Sequence, residues 1–338
     1  MAVVEVSGTT YHMNDNLVVK WDRLRNGRLK RIDEDRVYIT DGRERTGKSL
    51  FTLQQGAYID NELLEDQTKT GKILPRMTEL LEKAKKSKKS WEDNTEWRRE
   101  AIRRYKNGEL LPQIVFSAKS FLKAVRFLKS NEKKTKVLDF DEAFRGMSSK
   151  GSLSKENKQL VQALMEMGQS NLVVFIVSPS FFLLELYPSI LRSNALFHVK
   201  KDKKSGKRVV RVFNYKKKAM LYKMGIRKGW GYGIRTGQTA NFYNIYPGRE
   251  DFEWRYRLKK QLSLREMGEK EKSEESKYKK QRDLIICGLY KEIDSLRKLS
   301  AKIKEWGFTL SPRAIGDIVN KQKLKETEEN KEQLESNN

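Results

Sequence analysis

The chain has 338 residues, 37% hydrophobic and 34% charged, with a formal net charge of +26. That length suffices for one large domain or two ordinary ones, and so large a positive excess makes a polyanion, most commonly nucleic acid, the expected partner. One cysteine, Cys287, and two histidines, His12 and His198, exclude an internal disulfide framework, argue against a zinc site and fit a reducing, cytoplasmic setting.

The opening residues, MAVVEVSGTTYHMNDN, have no basic region followed by an apolar core, so no secretory leader is expected. A weak amphipathic pattern runs through NLVVKWDRL to the turn-like NGR. RVYIT, residues 36–40, is β-branched and aromatic, is bounded by Asp41 and Gly42, and reads as a short buried strand. The glycine-bearing loop GRERTGKS follows, and SLFTLQQGAYI has helical spacing. Residues 61–110 mix both charge signs around Trp91 and Trp97 and are expected to form a helical insertion. LPQIVFS, 111–117, is predicted as a strand and SFLKAVRFLKS as an amphipathic helix. KVLDFDEAF, 136–144, is predicted as a strand ending in acids, SKENKQLVQALMEMGQS as a helix, and NLVVFIVS, 171–178, as a further strand.

The apolar run 171–191 is broken by Ser178, Pro179, Ser180, Glu185 and Pro188, so it is read as strand, turn and helix and no membrane span is expected. ALFHVKK and RVVRVFNYKK flank DKKSGK as a β-hairpin. From residue 253 a highly charged helix or linker follows; an apolar pattern returns at 284–319, with Cys287 as a small core residue. There Ser311 and Pro312 supply a helix cap and first helical residue. Strands alternating with helices predict an α/β fold with a mainly parallel sheet flanked by helices, plus a helical C-terminal extension.

Gly42-Arg43-Glu44-Arg45-Thr46-Gly47-Lys48-Ser49 matches G-x-x-x-x-G-K-[ST]. A loop between strand and helix can turn its backbone N–H groups inward around phosphate oxygens, and the two glycines permit the close approach. Lys48 is expected to neutralise the β and γ phosphates, and the Ser49 hydroxyl to be a hard oxygen ligand for Mg²⁺. In VLDFDE, 137–142, a strand precedes paired acids: Asp141 is expected to hold the metal and Glu142 to polarise the attacking water. Asp139 stands where an apolar residue is expected and shares a strand face with Asp141.

This arrangement resembles the P-loop ATPases with an extra central strand and a catalytic glutamate, and within them the HerA/FtsK-type group that includes the Zot-like ATPases of filamentous phages. The likeness rests on TDGRERTGKS, on FDEAFRG, and on FIVSPSFF followed by LRSNALFHV, and covers roughly residues 36–215. The resemblance implies a polar sensor at the end of the strand after the acids, where Ser178 stands. It also implies an arginine acting across a subunit interface, for which Arg192 and then Arg145 are the candidates. Zot-like proteins carry a membrane span after the ATPase domain; this sequence shows none.

Residues 200–235 contain fourteen cations and a single acid, Asp202, with Phe213, Tyr215, Tyr222, Trp230 and Tyr232 interleaved. Cations neutralise phosphates while aromatic faces receive bases or sugars, so this stretch is the expected nucleic-acid contact. The organisation expected is a P-loop ATPase domain over 1–252, with the insertion at about 61–110 and a basic β-hairpin region at about 196–235. A charged helical linker over 253–283, a small helical unit over 284–325 and a disordered tail over 326–338 follow. The function expected is a Mg²⁺-dependent ATPase driving a nucleic-acid motor, a DNA packaging or translocating enzyme of a virus or mobile element, working as a homo-oligomeric ring, a hexamer by preference. The alternatives are a helicase-loader or transposition-helper ATPase and a non-enzymatic nucleic-acid-binding scaffold.

Overall fold

The structure, a computed structural model, describes residues 1–27, 34–75, 95–129, 135–143, 155–167, 170–202, 206–227, 229–248, 251–307, 309–320 and 322; the side chains of 155–157, 270–277 and 280 are not included. Arg145, Trp91 and the tail over 326–338 therefore lie outside the described residues. The chain divides into two compact units, Met1–Leu264 and Arg265–Asn338.

The first unit begins with a hairpin, β1 (Ala2–Val6) and β2 (Thr9–Met13), and helix α1 (Asp15–Arg25). The sheet strands are β3 (Arg36–Gly42), β4 (Ile114–Val115), β5 (Lys136–Phe140), β6 (Leu172–Val177), β7 (Ala195–Lys201), β8 (Arg208–Asn214) and β9 (Gln238–Phe242). Their order is β4-β5-β6-β3-β7-β8-β9. The five from β4 to β7 run parallel, and β8 and β9 are added antiparallel. The intervening helices are α2 (Lys48–Ile59), α3 (Thr95–Asn107), α4 (Ala118–Lys129), α5 (Lys155–Glu166) and α6 (Tyr215–Arg227), and α7 (Phe252–Ile293) follows β9.

The sequence explains the order. β6, LVVFIV, is apolar on both faces and all six residues are buried, as a central strand covered on two sides must be. It lies between β3, which enters the phosphate loop, and β5, which leads to the acids. One face of the sheet packs α1 and α2: the Trp21 ring, fully buried, meets Tyr38 edge-on at 5.1 Å and donates Nε1–H to Gln55 Oε1 at 2.7 Å. The other face packs α4 and α5 through Phe121, Leu160 and Leu164.

Several local expectations change. The strand predicted over 111–117 is paired only at Ile114–Val115, and that over 136–144 stops at Phe140, where a turn carries the acids. The predicted hairpin is present as β7 and β8, but Tyr215 and the lysines after it open α6, because Asn214 Oδ1 accepts the Lys217 N–H at 3.0 Å and caps a helix there. Among the described residues of the insertion, a 3₁₀ turn over Asn61–Leu64 and a Gln67–Ile73 bridge precede α3. The β1–β2 hairpin and β9 have no counterpart in the expectations. No helix among the described residues is long and apolar enough to cross a membrane.

In the second unit, the end of α7, α8 (Leu296–Glu305) and a helix over 312–320 enclose Ile286, Cys287, Leu299, Ile303, Ile315 and Val319. Ser311 caps the last helix as its sequence predicts, accepting the Ala314 N–H at 3.2 Å. Cys287 is buried in that core.

The insertion is tied to the rest of the first unit by a buried carboxylate. Asp66 accepts from Arg104 Nη1 at 2.9 Å, Arg255 Nη1 at 3.1 Å and the Leu111 N–H at 3.1 Å. Asp66→Asn would leave two buried guanidinium groups short of their counter-charge, a class of change that costs about 3–5 kcal/mol. The urea midpoint is expected to fall accordingly with an unchanged slope.

Candidate active site

β3 ends at Gly42, and the loop to α2 turns through three positive-φ residues, Gly42 (145°), Arg45 (59°) and Gly47 (95°). Both glycines are required. A Cβ on Gly42 would lie 2.2 Å from the Val199 carbonyl oxygen, and one on Gly47 would press on Arg208 Nε at 3.0 Å. Thr46 Oγ1 donates to the Arg43 carbonyl at 2.8 Å and closes the turn; Arg43, Glu44 and Arg45 are exposed, Glu44 and Arg45 lining the cleft described below. Lys48, the first residue of α2, donates Nζ to the Gly42 and Arg43 carbonyls at 2.8 and 2.9 Å. Burial pulls its pKa down, against Asp141, Asp41 and Glu142, which pull it up. The helix start supplies positive dipole and free N–H groups at the same place, which suits a phosphate.

The acids stand beyond β5. Asp141 is buried and Oδ1 accepts from Ser49 Oγ at 3.1 Å and from the Glu142 N–H at 3.0 Å. The fold thus brings Ser49 and Asp141 together from sites 92 residues apart. Glu142, at φ 59°, is turned outward, and the Ala143 N–H returns to the Val177 carbonyl of β6 at 3.0 Å. Two further partners come from α7. Tyr256, buried among its neighbours, donates its phenol to Asp141 Oδ2. Lys260 donates to Asp141 Oδ2 at 3.0 Å and to Glu142 Oε1 at 2.8 Å. Burial works against the Lys260 charge, but Asp141 and Glu142 outweigh it and push its pKa up. Sequence reasoning missed both residues; the only local signal is the i, i+4, i+8 series Phe252, Tyr256, Lys260 at the start of a charged helix.

Loop and acids face one cleft of about 840 Å³, which Ser178, Arg208, Tyr246 and Arg257 also line. Ser178, at the end of β6, donates Oγ to the Ser180 carbonyl at 3.0 Å. Arg208 leans on Gly47, and its Nε is buried with no hydrogen-bond partner among the described residues. Arg192 is placed elsewhere. It pairs with Asp35, which precedes β3, and donates Nε to the Leu164 carbonyl at 2.7 Å. It therefore stands at the start of β3, whereas the phosphate loop leaves that strand's other end. Asp139 is fully buried beneath Asp141, with no partner for either carboxylate oxygen among the described residues. Burial first, then the Asp141 charge, push its pKa well up.

The basic stretch separates into two groups. Lys218 is buried, donating to the Ile190 carbonyl at 3.1 Å and to Ser193. Burial takes its pKa down to about 7, so it is a structural cation rather than a surface one. Phe213 is core, Tyr222 packs against Phe181 at 5.6 Å, and Tyr232 stacks on His198 at 3.7 Å. Lys216, Lys223 and Arg227 share an exposed face of α6, and Tyr215 and Trp230 are exposed.

The donors fit Mg²⁺. Ser49 Oγ and Asp141 are hard oxygens in contact, and an ammonium already sits on the two carboxylates, so the position accepts a cation. Among the described residues no cluster of three or more His, Cys, Asp or Glu forms a dedicated metal cage. That suits a metal carried mainly by phosphate and water, with Ser49 and Asp141 as the protein's share.

Asp139 gives a pH test. Its folded pKa lies above the unfolded value, so its contribution to stability is fully present below about pH 4 and is lost as pH rises through the folded value. Asp139→Asn removes that loss. Thermal melts of variant and parent are expected to coincide near pH 4 and to separate progressively towards pH 8, the variant being the more stable.

No protein-family model and no curated protein matches the sequence. In structure the chain is similar to the N-terminal domain of zonular occludens toxin from Neisseria meningitidis, at 13% identity and TM-score 0.31, over 65% of this chain and 97% of that one. It is similar also to the genome packaging NTPase B204 from Sulfolobus turreted icosahedral virus 2 in complex with ATP-gammaS, at 12% identity and TM-score 0.31, over 54% and 93%. A KaiC-like protein from the hyperthermophilic archaeon Pyrococcus horikoshii OT3 is a third, at 14% identity and TM-score 0.26, over 54% and 79%. The fold assignment rests on the chain itself: with β6 between β3 and β5, a phosphate loop after β3 and paired acids after β5, this is a P-loop nucleoside triphosphatase fold with an extra central strand.

Proposed function

We propose that this chain is a Mg²⁺-dependent ATPase that drives movement of nucleic acid, as a DNA packaging or translocating motor working in a homo-oligomeric ring. The observation that carries the reading is the meeting of Lys48, Ser49, Asp141 and Glu142 on one cleft. Lys48 and the N–H groups of Gly42–Ser49 bind and orient the phosphates. Ser49 and Asp141 would hold the metal, which when bound supplies charge neutralisation between the phosphates. Glu142, turned outward at the mouth of the cleft, takes the proton of the attacking water. The intact set favours turnover over a purely binding scaffold.

The nucleic-acid contact is assigned to the exposed cations of α6 together with the exposed rings of Trp230 and Tyr215. A ring calls for an arginine from a neighbour, and Arg192 serves only if its pairing with Asp35 opens at the interface. Arg145 remains the other candidate.

The test of the whole is the ATP turnover rate with and without duplex DNA, run with a mass measurement of the assembly. Stimulation by DNA in an assembled oligomer is expected; unstimulated turnover by a monomer would remove the motor. Glu142→Gln is expected to keep Mg²⁺-nucleotide binding and to lose turnover by about 10²-fold or more, the usual scale of general base removal. A normal rate would assign water activation to another group. Replacing Lys216, Lys223 and Arg227 together with Gln is expected to flatten the dependence of DNA affinity on salt, by about 0.9 in the log–log slope for each phosphate no longer neutralised. An unchanged slope would place the binding face elsewhere.

A further inference from the structure

Helix α7 enters the first unit carrying Tyr256 and Lys260 one turn apart, so both reach the same carboxylate. Their environments differ. Tyr256 is buried and its phenol donates to Asp141 Oδ2 alone among the acids. Lys260 is 27% exposed at its side chain, and its ammonium bridges Asp141 Oδ2 and Glu142 Oε1. Lys48, the other lysine lining this cleft, directs Nζ to loop carbonyls instead. One ammonium therefore touches both acids. A divalent cation held by Asp141 would sit within a few ångströms of that ammonium, and like charges so close repel strongly at any dielectric constant appropriate to a half-buried site.

We propose that Lys260 is the resident counter-cation of the Asp141–Glu142 pair and a positioning residue for hydrolysis, giving up Asp141 when a Mg²⁺–nucleoside triphosphate binds. This rests on the ATPase reading of the cleft. Before binding, Lys260 keeps the two carboxylates from repelling each other and keeps Glu142 beside the cleft. With Mg²⁺–nucleotide bound, Asp141 would be held by Tyr256 in the absence of Lys260, which would keep Glu142 alone. A flexible, partly exposed side chain suits the moving partner, and a buried phenol the fixed one. Mg²⁺ and Lys260 would then compete for one carboxylate, Ser49 meeting its Oδ1 and Lys260 its Oδ2, so the affinity of the site for Mg²⁺ is set by a residue that touches neither phosphate loop nor metal ligand Ser49. Because Lys260 belongs to α7, the state of the nucleotide is also felt at the root of that helix.

The experiment uses the full chain and its Lys260→Met and Lys260→Arg variants. Binding of a fluorescent ATP analogue is followed over a Mg²⁺ titration and again with EDTA, with thermal melts of the unliganded proteins alongside. Lys260→Met is expected to lower the Mg²⁺ concentration for half-maximal binding by about tenfold, because the competing charge is gone. With EDTA the same variant is expected to bind nucleotide more weakly than the parent, because uncompensated carboxylates face the phosphates. Lys260→Arg, which keeps a cation, is expected to stay near the parent in both. A Mg²⁺ midpoint unchanged or raised in Lys260→Met, with only its melting temperature altered, would make Lys260 a structural bridge and overturn the proposal. If the parent binds no nucleotide at any Mg²⁺ concentration, the ATPase reading falls, and this inference with it.

Discussion

The carboxylate of Asp41 is the constraint on which the phosphate side of the structure depends. It is fully buried at the penultimate position of β3, immediately before Gly42. Oδ2 accepts the Phe181 N–H at 2.8 Å and the Tyr232 phenol, and Oδ1 meets His198 Nδ1 at 2.8 Å. A buried carboxylate without such partners costs several kcal/mol, so these donors are fixed wherever Asp41 is. They come from the segment after β6, from β7, and from the glycine-rich stretch after α6. The result is that Gly42 can lie against the Val199 carbonyl of β7, a distance that no side chain at that position would allow.

The same anchoring explains how the basic stretch keeps its shape with so few apolar residues. Tyr232 is clamped at its ring by His198 and at its hydroxyl by Asp41, while Arg211 donates to the Tyr232 carbonyl at 2.8 Å and to the Ile234 carbonyl. The positive charge is thereby divided by burial. Lys218, Lys259 and Arg255 hold carbonyls or carboxylates inside the first unit, and burial takes the Lys218 and Lys259 pKa values down to about 7. Lys216, Lys223 and Arg227 remain at the surface. Net charge read from composition counts both groups alike, and only the second is available to a polyanion.

The legibility of the chain follows the same division between local and tertiary causes. The phosphate loop could be read because its chemistry needs fixed residues at fixed local spacing, and the acids because a strand end places them. β6 could be read as a strand from its apolar run, but its place between β3 and β5 depends on pairing that no local pattern encodes. Tyr256 and Lys260 were hidden for that reason too: they lie 115 and 119 residues beyond Asp141, in a segment whose composition suggests only a solvated helix. Lys218 was misplaced among the surface cations because three consecutive lysines look alike until the helix turns one inward. Arg192 has the right residue type for a finger, and its neighbours in sequence gave no sign of Asp35, 157 residues away.

The end of β6 joins the two halves of the site more directly than either half joins the other. The Ser178 N–H bonds the Thr40 carbonyl at 2.9 Å, one residue before Asp41, and the Val177 carbonyl accepts the Ala143 N–H at 3.0 Å, one residue after Glu142. Two adjacent residues at the end of one strand thus hold the approach to the phosphate loop and the turn that carries the acids. Shifting Glu142 along the sheet would strain the Ala143 bond, and shifting the loop would strain that of Ser178. Both bonds are buried, and an unpaired peptide group there is costly. The relative positions of Lys48 and Glu142 are therefore set by backbone, and the adjustable part of the site is left to side chains. Of these, Lys260 is the one that touches both acids while remaining partly in solvent. The side chains that reach the acids from outside the sheet, Tyr256 and Lys260, both come from α7.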